Sequence, residues 1–235
     1  NGVLIKGMPL LTLYPGKQFW VNNSGVLPDG GIGGSDTNDG TYLKPLSTID
    51  GAIGKCKANR GDIICVMPGH AENVASAGAI ACDVAGVAII GLGLGTKRPT
   101  ISFTTATAAA ITVSAANVTL HNMIFNANFA DVAAAIVPTA ANCTLSYCNF
   151  KQAGADLNFV DYITPSGAAN TADGLTVDHC TGYHIDGSMN SPLNITDDLL
   201  DLVFTHNRFN TDNSAALAMI LCATGKDLNN AYVAH

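Results

Sequence analysis

Five stretches of this chain carry one arrangement of apolar and polar positions and align without a gap. They are VAIIGLGL (87–94), VTLHNMIF (118–125), CTLSYCNF (143–150), LTVDHCTG (175–182) and LVFTHNRF (202–209), recurring after 31, 25, 32 and 27 residues. The first column holds Val87, Val118, Cys143, Leu175 and Leu202, and the third Ile89, Leu120, Leu145, Val177 and Phe204. The sixth holds Leu92, Met123, Cys148, Cys180 and Asn207, and the eighth Leu94, Phe125, Phe150, Gly182 and Phe209. Between them lie mostly polar columns: Thr119, Thr144 and Thr176 in the second, and His121, Ser146, Asp178 and Thr205 in the fourth. The pattern is in-out-in, two residues out, then in-out-in. Alternation describes an extended strand, and two successive outward residues mark a bend between two short strands. Positions one, three, six and eight do not share one helical face.

A unit of two to three dozen residues that cannot bury its own apolar face gains a core by stacking on its neighbours. Coils about 4.8 Å apart place each inward residue on its equivalent in the next coil. The expected fold is therefore all-β, a right-handed single-stranded parallel β-helix. A β-sandwich, the alternative, would show turn signals every 8–12 residues or so. Further strands of each coil fall between the aligned segments, at Ala110–Val113 and Ala135–Val137. The stretch 104–116 is rich in Ala and Thr and poor in charge, which suits a covered face more than a bare one. Ala231-Tyr232-Val233-Ala234-His235 fits the first five columns of a sixth coil, so the sequence is expected to stop mid-coil, truncated or covered by a partner.

The chain upstream reads differently. Residues 1–33 are expected to form an N-terminal arm and 34–235 the β-helix domain. Within the arm, Leu10 to Val21 is apolar and carries Tyr14, Phe19 and Trp20. It has no repeat partner, and is expected either to lie along the solenoid or to dock on another subunit. Next come Gly34-Ser35-Asp36-Thr37-Asn38-Asp39-Gly40, Pro45-Leu46-Ser47-Thr48-Ile49, and Gly61-Asp62-Ile63-Ile64-Cys65-Val66-Met67-Pro68-Gly69-His70. This string resembles the opening of pectin-lyase-like parallel β-helix proteins, in which such a string leads a short helix into the first strand. Here Ser47 is the expected N-cap of a helix whose Ile49, Ala52, Ile53 and Cys56 share one face. That helix would blunt the open edge of the solenoid. The resemblance specifies a fold and no single activity, because the family holds lyases, hydrolases, epimerases and inert virion proteins.

Composition narrows the partners. Charged residues are 12% of the chain and the net charge is −7, with arginine at only Arg60, Arg98 and Arg208. Nucleic acid is not an expected partner, since binding it requires a basic patch. A hydrophobic share of 48% raises the membrane class, yet no run of 18 or so apolar residues exists to span a bilayer. The seven cysteines (56, 65, 82, 143, 148, 180, 222) include no CxxC pair. They are expected to be free thiols packed as small hydrophobes, formed in a reducing cytoplasm. No signal peptide is evident at residues 1–13.

Candidate chemistry is sparse. Pectate-lyase-like elimination requires an arginine base beside calcium-binding carboxylates. Arg208 lies in an outward column with only Asp178 near it, and is read as a surface residue. Hydrolysis by paired carboxylates requires a defined separation, whereas Asp197 and Asp198 are adjacent in a loop. The outward fifth column, Asn122, Tyr147, His179, His206 and then His235, is a possible metal stripe. Without a carboxylate partner its histidines are read as structural, or as a subunit contact. Asp36 to Gly40 fails the EF-hand order and is read as a turn. No catalytic residue, cofactor or metal site is therefore expected.

The string Val66 to Glu72 (VMPGHAE) also resembles β-helix proteins common among phage structural genes. With the opening motif, this implies a structural protein of a tailed-bacteriophage virion. The expected role is capsid decoration or cement, assembled in the host cytoplasm, with the major capsid protein and itself, as a homotrimer, for partners. Two other readings stand beside it: a tail spike or polysaccharide depolymerase, and a carbohydrate-binding surface protein.

Overall fold

The computed structural model describes residues 3–5, 8–10, 16–185, 189–211 and 218–234. Three parallel sheets run from Gln18 to Ala234 among the described residues. The first sheet stacks Gln18–Val21, Ile63–Val66, Ala88–Gly91, Thr119–His121, Thr144–Ser146, Thr176–Asp178, Val203–Thr205 and Tyr232–Ala234. The second stacks Ala71–Val74, Thr100–Phe103, Ile124–Ala127, Asn149–Gln152, Thr181–His184 and Arg208–Thr211. The third stacks Ala77–Cys82, Ala110–Val113, Val132–Pro138, Phe159–Ile163, Ser191–Ile195 and Ile220–Cys222. Each coil visits the three sheets in turn. The result is a right-handed parallel β-helix of six full coils, numbered one to six from the strands that begin at Ile63, Ala88, Thr119, Thr144, Thr176 and Val203.

The register is the one the columns imply. Ile89 pairs with Leu120, Leu120 with Leu145, Leu145 with Val177, Val177 with Phe204 and Phe204 with Val233. The first and third columns are buried in every aligned segment. Leu94 departs from its expected inward place and is 75% exposed. Coil two carries extra residues at the bend, including a 3-10 turn at Gly95–Lys97, before its second strand begins at Thr100. The eighth-column position is consequently taken by Ile101, which pairs with Phe125.

The solenoid also begins earlier than residue 34. Gln18–Val21 pairs in parallel with Ile63–Val66, placing Phe19 on Ile64 and Val21 on Val66, both buried. Phe19 is thus a core residue and not part of a free arm. Tyr14 lies outside the described residues, as does His235.

Coil one explains the opening string. Its first, sixth and eighth columns hold Asp62, His70 and Glu72, where coils two to five hold apolar side chains or, at Gly182, none. Asp62 is wholly buried and accepts hydrogen bonds from the backbone N–H groups of Lys17 and Lys57 and from the Arg60 guanidinium in a two-point contact, each at 2.6–2.8 Å. Burial pushes its pKa up, and these donors outweigh that and hold it below the ordinary value. His70 Nδ1 accepts from the Asn23 N–H at 3.2 Å, which leaves Nε2 to donate to Glu72 at 3.0 Å. Glu72 in turn accepts from the Ile49 N–H at the start of the helix α1 (Ile49–Ile53). Three inward polar side chains therefore replace apolar ones in coil one, each of them hydrogen-bonded, and Glu72 ties the coil to the helix.

The helix α1 buries Ile49, Ala52 and Ile53 against the edge of the third sheet and the start of the first. Its N-cap is Thr48, whose side chain accepts from the Gly51 N–H, and not Ser47. Ser47 and Thr48 are instead held together by Asp36, which accepts from both backbone N–H groups and from the Thr48 hydroxyl. The Asp-Thr-Asn-Asp-Gly turn is thus a clamp on the helix entry. Gly51 is required there, because a Cβ would lie 2.5 Å from Asp36 Oδ1.

Two bends per coil use left-handed backbone. Just before the first column that conformation falls on Gly61, Gly86, Asn117, Asn142, Gly174, Asp201 and Asn230. These are the residue types that tolerate positive φ. At the fifth column it falls on Asn122, Tyr147, His179 and His206. Left-handed geometry at this site turns the fourth and fifth side chains outward together, the physical origin of the two successive polar positions.

Candidate functional site

Because the fourth and fifth columns both face outward, they form a polar seam along the bend between the first and second sheets. In the fourth column His121 Nδ1 lies 2.8 Å from Ser146 Oγ, and Thr205 Oγ1 donates to Asp178 Oδ1 at 2.7 Å one coil away. In the fifth, Asn122 is buried and donates to the Gly91 carbonyl at 2.6 Å. From coil four onward the column turns aromatic. Tyr147 stacks on His179 with centroids 4.7 Å apart and planes 12° apart, and His179 on His206 at 4.5 Å and 23°. Arg98 reaches under this seam, donating to the carbonyls of Met123 and Tyr147.

The histidines do have a carboxylate partner, contrary to expectation. Asp178 accepts from His179 Nδ1 at 2.8 Å through Oδ2 and from His206 Nδ1 at 3.0 Å through Oδ1. Partial burial pushes the Asp178 pKa up, and hydrogen bonds from Thr205, His179 and His206 outweigh it, holding the carboxyl at about 2. The partnership escapes a reading by columns, because Asp178 and His206 occupy different columns in different coils. It depends on both facing outward across one interstrand gap.

The second sheet's outer face carries a groove of about 410 Å³. Lys151, Tyr183 and Arg208 line it with Asn149, Thr181 and Asn210. No carboxylate lines it among the described residues, so Arg208 sits in a basic, aromatic and amide-rich trough and not beside a cluster of acids. Lys151 and Tyr183 were missed in the sequence because they stand one position beyond the eight aligned columns, with Asn126 and Asn210.

The remaining acidic candidates are occupied structurally. Asp197 pairs with Lys226 at 2.6 Å, and Asp198 accepts from the Asp227 N–H at 3.0 Å. Asp161 is buried in the third sheet, where it accepts from Ser191 and from Asn194. Burial raises its pKa despite those donors, but it does not open on the groove. Trp20 meets Tyr42 edge-on at 5.0 Å near the start of the solenoid, far in sequence from the groove residues. All seven cysteines are free thiols; Cys65, Cys82, Cys143, Cys148 and Cys180 are buried. Burial alone pushes the Cys65 thiol up to about 11, which keeps it protonated and unreactive. No helix among the described residues is long and apolar enough to cross a membrane.

No family model matches the chain, and no curated protein matches it. Among solved structures it is similar to a rhamnogalacturonan lyase, with a TM-score of 0.50 and 15% identity over 92% of this chain. The chain spans 63% of that protein's length. The likeness shows a shared parallel β-helix fold, and at this identity it shows the fold alone.

Proposed function

We propose that this β-helix is a structural subunit of a tailed-phage particle, a capsid decoration or cement protein that docks as a homo-oligomer, most simply a trimer, on the major capsid protein. The observation that carries this reading is the outer face of the third sheet. Successive coils present Ala81, Thr112, Val137, Thr164, Asn194 and Leu221 in one half-buried column. The next outward column is Asp83, Ser114, Thr139, Ser166, Thr196 and Ala223, in which Asp83 carries the charge. A face of mostly small side chains with little charge suits close packing against a copy of itself, and a stable contact buries about 800 Å² per partner. Three-fold sites of a capsid lattice would engage three such copies at once, strengthening attachment through effective concentration. The opening string, with its likeness to virion β-helices, supplies the particle.

A second reading is a saccharide-binding or polysaccharide-cleaving role. It is favoured by the groove, whose Lys151, Arg208 and Tyr183 suit an acidic sugar chain.

The test is mass in solution by light scattering together with a protein map of purified particles. An oligomer that dissociates in Val137→Lys and is present on particles supports the structural role. A strictly monomeric protein absent from purified virions overturns it. Release of unsaturated or reducing sugar ends from pectin-like or capsular polysaccharide would establish the second reading.

A further inference from the structure

We propose that Asp178, His179 and His206 form a binding site for a divalent transition-metal cation of the zinc class, held by one carboxylate oxygen and two imidazole nitrogens across coils five and six. The inference does not depend on the particle role.

Three observations carry it. First, the donor set is right: one oxygen and two neutral nitrogens is a common set for zinc, copper or nickel, and leaves a position open to solvent. Second, the ligand atoms are already gathered, all within 4.8 Å of one another. Metal–ligand bonds near 2.0–2.1 Å in a tetrahedron separate ligands by about 3.4 Å. His179 Nδ1 stands 2.8 Å from Asp178 Oδ2 and opens by about half an ångström to admit the ion, and His206 Nδ1, now 3.0 Å from Oδ1, turns to meet the ion at Oδ2. Third, the backbone is unusual where the ligands stand. His179 and His206 hold φ of 51° and 52°, a region that the other bend fills with Gly, Asn or Asp. Outside those three types, the described residues with positive φ are Tyr147, His179, His206 and Thr105. Strained backbone of this kind gathers at functional sites.

Binding requires no oxidant and no net loss of protons from neutral imidazoles. In the hydrogen-bonded state each Nδ1 carries the proton shared with Asp178. On binding, each ring moves that proton to its solvent-facing Nε2 and offers the Nδ1 lone pair to the cation. Thr205 continues to donate to Asp178 Oδ1 and fixes the carboxylate, leaving Oδ2 for the ion. Since Asp178 and His179 come from coil five and His206 from coil six, the ion would staple two coils together.

The experiment uses untagged protein freed of metal by chelation. Zinc is titrated calorimetrically, and copper(II) is bound for electron paramagnetic resonance. The expected results are one ion per chain, hyperfine coupling to two imidazole nitrogens, and a zinc-dependent rise in melting temperature of about 5 °C at hundredfold excess over Kd. His179→Asn and His206→Asn suit the left-handed backbone, so the metal-free variants should melt close to the parent. Each should lose at least about tenfold in affinity together with the thermal shift. Affinity unchanged in His206→Asn, a copper spectrum without two nitrogens, or no binding up to about 1 mM zinc would each overturn the proposal. The copper spectrum of the parent protein decides the matter even if a variant fails to fold.

Discussion

A Cβ built on Gly182 would lie 2.7 Å from Cε2 of Tyr162, and the ring of Tyr162 occupies the space that this glycine leaves. In the eighth column Phe125, Phe150 and Phe209 are buried, and the coil between Phe150 and Phe209 contributes no side chain. Tyr162 enters from the third sheet of coil four and fills the gap. It stacks on Phe150 at 4.6 Å with planes 12° apart and approaches Phe209 at 5.5 Å.

Gly182→Ala should therefore be an overpacking change despite its small size. The added methyl meets Tyr162 and, at 2.9 Å, Phe209, so both rings must move towards the cavity of about 210 Å³ that they line. A loss of about 1–3 kcal/mol in urea-induced unfolding is expected. Stability equal to the parent would show that the rings shift freely.

Tyr162→Phe tests the other side of the same packing. The Tyr162 hydroxyl is buried with no hydrogen-bond partner among the described residues. Leaving a polar group unsatisfied costs roughly 1–3 kcal/mol, so its removal should leave the protein as stable as the parent or more so by about 1 kcal/mol. A clear loss in thermal or chemical unfolding would reveal a partner for the hydroxyl.

Leu145→Ala should cost about 2–5 kcal/mol, because it opens a cavity in a column flanked by Leu120 and Val177. Thr144→Ala, one residue earlier on the outward face, should cost under about 0.5 kcal/mol. Equal effects in paired unfolding measurements would contradict the assigned faces.

Acid should weaken the seam in a defined window. The Asp178 carboxyl titrates at about 2 in the folded chain, against an ordinary value of 3.8. A depressed folded pKa contributes stability that is fully present above the unfolded value and lost as pH falls through the folded one. The stability gap between the parent and Asp178→Asn should shrink as pH falls from about 4 towards 2. A gap independent of pH would mean that the carboxylate's charge plays no part in the seam.

The sequence by itself determined the solenoid, the register and the identity of most core columns. The reason is that stacked coils repeat one local rule, so each inward position is legible from its equivalents at 120, 145 and 177. What it missed lies where that rule is broken or where contacts cross columns. Leu94 was misplaced because coil two inserts residues at a bend, and a gapless alignment cannot see an insertion. Phe19 was left out because its strand is separated from its partner by a long loop that the repeat spacing does not span. The polar triad of Asp62, His70 and Glu72 looked like a motif in the sequence; only the structure makes it a set of inward, hydrogen-bonded groups in coil one. The tertiary structure alone decided that Tyr162 fills the place of Gly182 and that Asp178 joins His179 to His206. Both depend on side chains from different coils or sheets meeting through space, and periodicity along a chain records which face a residue takes, not which neighbour it will touch.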